Sequence, residues 1–410
     1  MRQRRIAARL ARTLVAALLA LGLAAPAPAA AAGLKDAIRD LFGGDGITLE
    51  PTPPPFPSHA PHFTASSLGG LDNLGRAITA SIHAVAFNST VSGFTFDVER
   101  GVPVRTTESL GPLLAERAPT LGARKLNVGF SYTRIDFTRF RGRDLDDLSL
   151  IFAHEDSNGD GRLGNGVFDF ERDEIRVDLD LEIEQEIFAL FATYGITRSW
   201  DVGVVVPLVH MTFRADAEAT ILRNSAISAL VHNFGPGSDP PVSRTGGEET
   251  GIGDVILRTK YNFLRGQPVW PDLAAVGQVK LPTGDEDDLL GTGETDFLGL
   301  LVASKNLGFL NPHVNLGYEL TTAGSSENNL RYVAGIDARL HRTLSAAVDV
   351  LGRWKPDGDG IADHVVDLAV AARWNVVGSL LLNAAIQVPL NRNEGLRPDV
   401  IWTVGADYTF

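Results

Sequence analysis

The chain has 410 residues, with 37 Lys and Arg against 50 Asp and Glu, and no Cys. The lack of Cys excludes structural disulfides, Cys-based metal sites and lipid attachment through an N-terminal Cys. The acidic balance argues against a nucleic-acid partner, whose binding rests on basic residues facing phosphates. A mean hydropathy of +0.03, with no internal stretch of about twenty apolar residues, speaks against helical membrane spans but suits a barrel that hides its apolar face in alternation.

Residues 1–30 have the pattern of an export signal. Arg2, Arg4, Arg5, Arg9 and Arg12 open it, Thr13 to Ala25 is apolar, and Ala27-Pro28-Ala29 suits cleavage. Its removal would take away five Arg and no carboxylate, leaving a more acidic chain. Residues 33–42 can form a short amphipathic helix with Leu34, Ala37, Ile38 and Leu41 on one face. Pro51, Pro53, Pro54, Pro55, Pro57 and Pro61 then break regular structure. Residues 31–77 are therefore expected to be a short helix plus a Pro-rich periplasmic or plug segment, and 78–410 a barrel. Ile78 to Phe87 reads as a first strand or part of a plug, and Phe94 to Val98 and Val102 to Thr106 as short extended pieces.

From residue 124 strand-like runs follow one another. They fall at 124–138, 144–153, 173–194, 200–220, 251–264, 272–282, 293–306, 311–320, 330–340, 343–354, 364–374, 379–390 and 399–410. Many exceed the roughly five or six residues usual in a soluble sheet and suit a tilted bilayer crossing. In the last run Val400, Trp402, Val404, Ala406, Tyr408 and Phe410 share one face, with Ile401, Thr403, Gly405, Asp407 and Thr409 on the other. A soluble sandwich would alternate in the same way. Strand length, the export signal, and Trp200, Trp270, Trp354, Trp374, Trp402 and Tyr408 near strand ends favour the membrane. The expected fold is an all-β transmembrane antiparallel barrel in the outer membrane, surrounded by its lipid. It has about 14 strands if Ile78 to Phe87 counts, and 12 if the 144–153 run is only an extracellular hairpin piece.

Several marks resemble a family of bacterial outer-membrane transporters linked to the meta-cleavage pathway of phenol degradation. They are Gly251-Ile252-Gly253-Asp254 opening a strand, Leu281-Pro282-Thr283-Gly284 closing the next, and Gly291-Thr292-Gly293 before Asp296. Ala406-Asp407-Tyr408-Thr409-Phe410 resembles the signal by which the barrel-assembly machinery takes such a barrel through its C-terminal strand. Ser109-Leu110-Gly111-Pro112 with Ala115-Glu116-Arg117 resembles a segment upstream of the barrel. The resemblance covers about 110–410 and implies a small, hydrophobic or aromatic solute. A more distant likeness to long-chain fatty-acid channels implies an N-terminal plug. In physical terms Gly-x-Gly-Asp can be a tight periplasmic turn, and Pro-Thr-Gly ends a strand because proline cannot donate to the ladder.

Asp178, Asp180, Glu182, Glu184 and Glu186 alternate along one run and must avoid lipid, facing the lumen or a wet extracellular extension. Arg258, Lys260, Lys280, Arg331, Arg339, Arg353 and Arg373 fall on inward phases. They would filter passage by charge, or pair across the lumen with the acidic row. Arg258, Lys260, Lys280 and Arg339 are the candidate partners. Asp156, Asn158 and Asp160 resemble the opening of a calcium loop, but Val167 stands where a bidentate Glu is required. Lys355 to Gly360 reads as a hairpin turn and 233–250 as a long extracellular loop. The nine His are scattered with no helix-borne zinc spacing, and no Gly-x-Ser-x-Gly elbow occurs. No catalytic residue and no cofactor beyond that calcium ion is expected. Passive or facilitated uptake of a small solute is the preferred function. A structural or partner-binding barrel with a sealed lumen comes second, and a barrel-embedded hydrolase third.

Overall fold

The structure, a computed structural model, describes residues 33–42, 45–52, 54, 60–82, 94–97, 102–105, 109–156, 161–163, 169–225, 227–234, 242–358 and 362–410. The expected export signal lies outside the described residues, as do most of the Pro-rich stretch and residues 83–87.

Strands β1 (Phe94–Asp97) and β2 (Val102–Arg105) form a separate hairpin. The remaining strands are β3 (Leu126–Phe140), β4 (Arg143–Asp144), β5 (Leu148–Ala153), β6 (Glu174–Gly195), β7 (Trp200–Leu222), β8 (Val242–Ile252) and β9 (Val255–Leu264). Then come β10 (Asp272–Leu281), β11 (Asp296–Ser304), β12 (Leu310–Thr321), β13 (Asn329–Arg339), β14 (Leu344–Trp354), β15 (His364–Val377), β16 (Leu380–Pro389) and β17 (Leu396–Thr409). All pairings are antiparallel. Beginning at β3, the order runs β17 to β9 in reverse, then β7 and β6, and β6 returns to β3, so the described strands close a ring of 12. Closure removes the unpaired edge that hydrocarbon would punish.

The count corrects the expectation of 14. Residue 78 does not begin a strand: Thr64–Ile82 is a helix, with Leu71, Leu74, Ala77 and Ile78 buried at helical spacing. The 144–153 run contributes β4 and β5, which pair outside the ring. Nor is 233–250 all loop, because β8 pairs with the far half of β7. Its Gly- and Glu-rich sequence hid it; it lies outside the ring of strands and carries no lipid-facing apolar row.

Connections 196–199, 265–271, 305–309, 340–343 and 378–379 are short, while 141–173, 223–254 and 282–295 are long. Short turns face the periplasm in such barrels, so the long connections lie outside the cell. Outward positions of the ring carry Leu257, Tyr261, Leu301, Val314, Leu316, Val348, Val370 and Trp402, all exposed for lipid. β6 and β7, 22 and 23 residues long, far exceed the ~9–11 of one crossing. Their outer halves, with β5 and β8, continue the wall beyond it.

That extension needs a cover for its inner apolar face, and the N-terminal residues provide one. Leu34 and Leu41, on two 3-10 turns (Leu34–Asp36 and Arg39–Phe42), and Ile38 between them join Phe63, Leu71 and Ile78. They pack in one core with Ile175, Val177, Leu179, Leu181, Met211 and Phe213. Backbone hydrogen bonds fix the seat. Lys35 N–H donates to the Asp287 carbonyl, Glu50 N–H to Asn233 and Glu155 N–H to His62, each at 2.9 Å. The described residues between 34 and 82 thus sit at the end of the barrel that carries the long connections.

Candidate functional site

Inward positions of the strands are polar, and a second stretch of chain fills the space between them. Residues 109–122 cross the lumen. Pro112 and Pro119 deny this stretch regular structure, so its backbone groups must find partners on the wall. Leu110 N–H donates to Ser345 Oγ at 3.0 Å, Glu116 N–H to Asn315 Oδ1 at 2.8 Å, Ala118 N–H to Ser304 Oγ at 3.0 Å and Leu121 N–H to Asp201 Oδ2 at 2.8 Å. Asn315, Asn262 and Lys260 donate in return to the carbonyls of Glu116, Ala118 and Arg117. The Glu116 carboxylate takes Arg258 at 2.7 Å and Lys260 at 3.0 Å, and Arg117 meets Asp337 at 3.3 Å. Asp337 belongs to a buried group with Asn311 and His313, and His313 Nε2 lies 2.6 Å from Asp349 Oδ1.

Cavities lie along this path among the described residues. The outer one, about 500 Å³, opens between the helix Thr64–Ile82 and the β10–β14 wall and is lined by Arg39, Asp72, Arg76, Lys280, Glu319 and Arg331 among others. The middle one, about 140 Å³, lies against Leu114 and Glu116, with Ile256, Leu300, Val333 and Leu351 as apolar wall. Arg331 and Arg353 line both. A third, about 280 Å³, lies beyond Arg117 towards the periplasmic turns and includes Asn262, Asp272 and Asn306.

The charges along the path are mostly neutralised. Arg331 meets Glu319 at 2.7 Å, Lys280 meets Asp296 at 2.5 Å, and Arg397 pairs with Asp367. Arg373 donates to the Leu110 carbonyl. Arg353 differs: its buried Nε and Nη2 have no hydrogen-bond partner among the described residues. Arg339 falls in the same phase of β13 as Asp337.

The acidic row is elsewhere. Asp178, Asp180 and Glu182 are exposed, in phase with the lipid-facing Phe188 and Tyr194, and lie on the outside of the extension. Their partners are Arg176 for Asp178, Arg214 for Glu182, and Arg134 for Glu184 and Glu186 at 3.1 and 3.2 Å. Among the described residues, Arg258 and Lys260 instead meet Glu116, and Lys280 meets Asp254 and Asp296, while Arg339 falls on the inward phase of β13. The pairing expected from sequence is corrected: alternation places residues on one face without saying which face is inside.

The Gly251–Asp254 motif is not a periplasmic turn: at the outer end, Gly251 and Ile252 close β8, and Gly253 and Asp254 lead into β9. Asp254 accepts the N–H groups of Gly284 at 3.1 Å and Thr292 at 2.9 Å and the Thr292 hydroxyl at 2.9 Å, with Lys280 at 3.5 Å. Thr283 Oγ1 donates to the Gly253 carbonyl at 2.7 Å. Three separated motifs thus close one knot. A Cβ on Gly291 would stand 2.5 Å from Asp254 Oδ1 and 2.7 Å from Gly284 Cα, so both glycines serve close approach.

Asp156 accepts the Gly161 N–H at 2.7 Å, an ordinary turn bond; Asn158 and Asp160 lie outside the described residues. A metal-ligating set appears where sequence spacing showed none: His62, His154 and His232 converge at the outer end. Burial and the nearby His232 push His62 below its ordinary pKa. Burial pushes His154 down to about 4, His232 and His62 adding to it against the Glu155 carbonyl.

Residues 156–349 match the family model described as "Putative MetA-pathway of phenol degradation". Nothing among the curated proteins matches the chain. Solved structures with a similar course include an outer membrane channel from Pseudomonas putida F1, at 14% identity over 72% of this chain and 99% of that one, with a TM-score of 0.44. The Ralstonia pickettii toluene transporter TbuX gives 12%, 80%, 99% and 0.35. A Pseudomonas aeruginosa FadL homologue gives 11%, 70%, 90% and 0.32. Likeness at this level is no guide to a solute. The chain is an outer-membrane β-barrel, similar over just under half its length to the phenol-degradation family.

Proposed function

We propose that this barrel is an uptake channel for a small solute with an apolar, aromatic body and an anionic or hydrogen-bond-accepting group. The observation that carries the reading is Arg353. Its guanidinium lines both the outer and the middle cavity, and its buried Nε and Nη2 have no hydrogen-bond partner among the described residues. Buried donors without partners are costly, and a passing carboxylate or phenolate would satisfy them while its ring lay against Val333 and Leu351. The match to the phenol-degradation family model supports an aromatic body. In proteoliposomes the chain should admit benzoate faster than an uncharged sugar, and Arg353→Gln should cut benzoate flux several-fold while leaving the sugar unaffected. Equal loss for both solutes would sink the assignment to Arg353.

A second reading is a barrel with a sealed lumen. It is favoured by the 109–122 segment, which is hydrogen-bonded to wall residues from β7, β9, β11, β12 and β14. Flux no greater than that of empty liposomes for either solute would favour it.

A further inference from the structure

Three histidines remote in sequence meet at the outer end of the barrel, apart from the luminal cavities. His62 precedes the helix Thr64–Ile82, His154 follows β5, and His232 follows the short helix Ser228–Val231. His62 Nδ1 lies 3.1 Å from His154 Nε2, which lies 3.1 Å from His232 Nε2.

The remaining ring nitrogens indicate where the protons are. His154 Nδ1 donates to the Glu155 carbonyl, which can only accept. His232 Nδ1 sits 2.7 Å from Asp173 Oδ2. That carboxylate is itself held by the Asn224 N–H at 2.6 Å and the Ser228 hydroxyl at 2.8 Å. With Nδ1 engaged in this way on both rings, the Nε2 atoms of His154 and His232 point at each other, and His62 Nδ1 points at the first of them. Imidazole nitrogens converging in this way can ligate one cation through their lone pairs.

The two 3.1 Å edges, from His154 Nε2 to His62 Nδ1 and to His232 Nε2, come close to the roughly 3.3 Å edge set by a tetrahedral ion with nitrogen ligands at about 2.0–2.1 Å, and all three nitrogens lie within 4.8 Å of one another. Asp173 behind His232 and the carbonyl behind His154 fix ring orientation as the outer partners of metal-bound histidines do. Buried Phe63 lies 5.1 Å from the His154 ring and 5.5 Å from the His232 ring, and Phe170 lies 5.7 Å from His232, which limits competition from water.

We propose that His62, His154 and His232 bind one divalent transition-metal ion of the zinc class, stapling the N-terminal segment to two outer loops. Imidazole suits such ions, whereas Ca²⁺ and Mg²⁺ take oxygen. The staple runs beside two backbone ties, Glu155 to His62 and Glu50 to Asn233, so the metal reinforces a seat already made.

The tag-free chain, folded in detergent micelles and stripped with chelator, is loaded with Zn²⁺ and desalted. About one zinc per chain is expected by mass spectrometry, with none in the His62→Ala/His154→Ala/His232→Ala variant. Asp173→Asn should weaken binding about 10–100-fold. Zinc should also slow proteolysis of residues 34–62 in the parent chain alone. Heat-modifiable migration checks the barrel. Should the triple variant not fold, His62→Ala, which lies outside the strand wall, supports the same comparison. Equal zinc in parent and variant, or none in the parent, overturns the site; a proton shared among the rings would then explain the cluster.

Discussion

Arg258 Nη2 stands 2.7 Å from Glu116 Oε1, and Lys260 Nζ stands 3.0 Å from Oε2, so one carboxylate of the luminal segment is clamped by two bases of β9. All three side chains are buried. Removing one member of such a group strands the others, at a cost of about 3–5 kcal/mol. Glu116→Gln should therefore loosen the 109–122 segment while leaving the strand ring closed. The expected outcome is a larger or more frequent conductance in planar bilayers, with heat-modifiable migration retained. An unchanged conductance would mean that the remaining backbone bonds hold the segment unaided.

Asp254 ties three motifs that sequence could only read as separate turns. Asp254→Ala removes the acceptor for two N–H groups and a hydroxyl. These donors are part-buried, so leaving them unmet costs less than the ~1–3 kcal/mol of a fully buried one. Amide exchange at Gly284 and Thr292 should accelerate at least tenfold, while the paired core of β12 to β16 keeps its protection. Gly291→Ala should loosen the same amides by crowding rather than by loss of a bond. Exchange rates unchanged in both variants would show that the loop stands without the carboxylate.

The acidic row invites the opposite prediction. Its ion pairs are exposed: Glu182 and Arg214 lie 2.7 Å apart with about half of each side chain in solvent. Such pairs contribute about 0–1 kcal/mol. Changing Asp180 to Asn and Glu182 to Gln together should leave the unfolding temperature within a degree or two and conductance unaltered. A clear fall in either would return these residues to the lumen.

That row also shows what the sequence did and did not make legible. Strand boundaries from β9 to β17 follow directly from alternation and turn residues. Inside and outside do not, because a period of two has no sign. In β6 the apolar positions are odd from Ile175 to Ile187 and include even Phe188 and Leu190 beyond it. The pleat does not change; the surroundings do. Below the change the even positions meet lipid, and above it the odd positions meet the N-terminal cover while the even ones meet water. This switch of phase within one run was readable and marks where β6 leaves the membrane. The luminal segment gave no such signal. Its fourteen residues, 109–122, carry no period, and their place is set by wall side chains from distant strands. The histidine cluster was hidden for the same reason, its members lying 92 and 78 residues apart.

The N-terminal cover offers the sharpest separation between cover and barrel. Leu71 is fully buried on the helix Thr64–Ile82, within the core formed with the inner faces of β6 and β7. Truncation to Ala leaves a cavity and costs about 2–5 kcal/mol; Asp at the same place adds an unpaired buried charge. Neither change touches the strand ladder. Leu71→Asp should therefore release residues 34–82 to protease and widen access to the outer cavity, with β-sheet content and heat-modifiable migration preserved. Leu71→Ala should do the same to a smaller degree, reversible by zinc if the histidine staple forms. Loss of the barrel itself in Leu71→Asp, seen as failure to migrate in the compact form, would show that the cover is needed for closure and is not a separable lid.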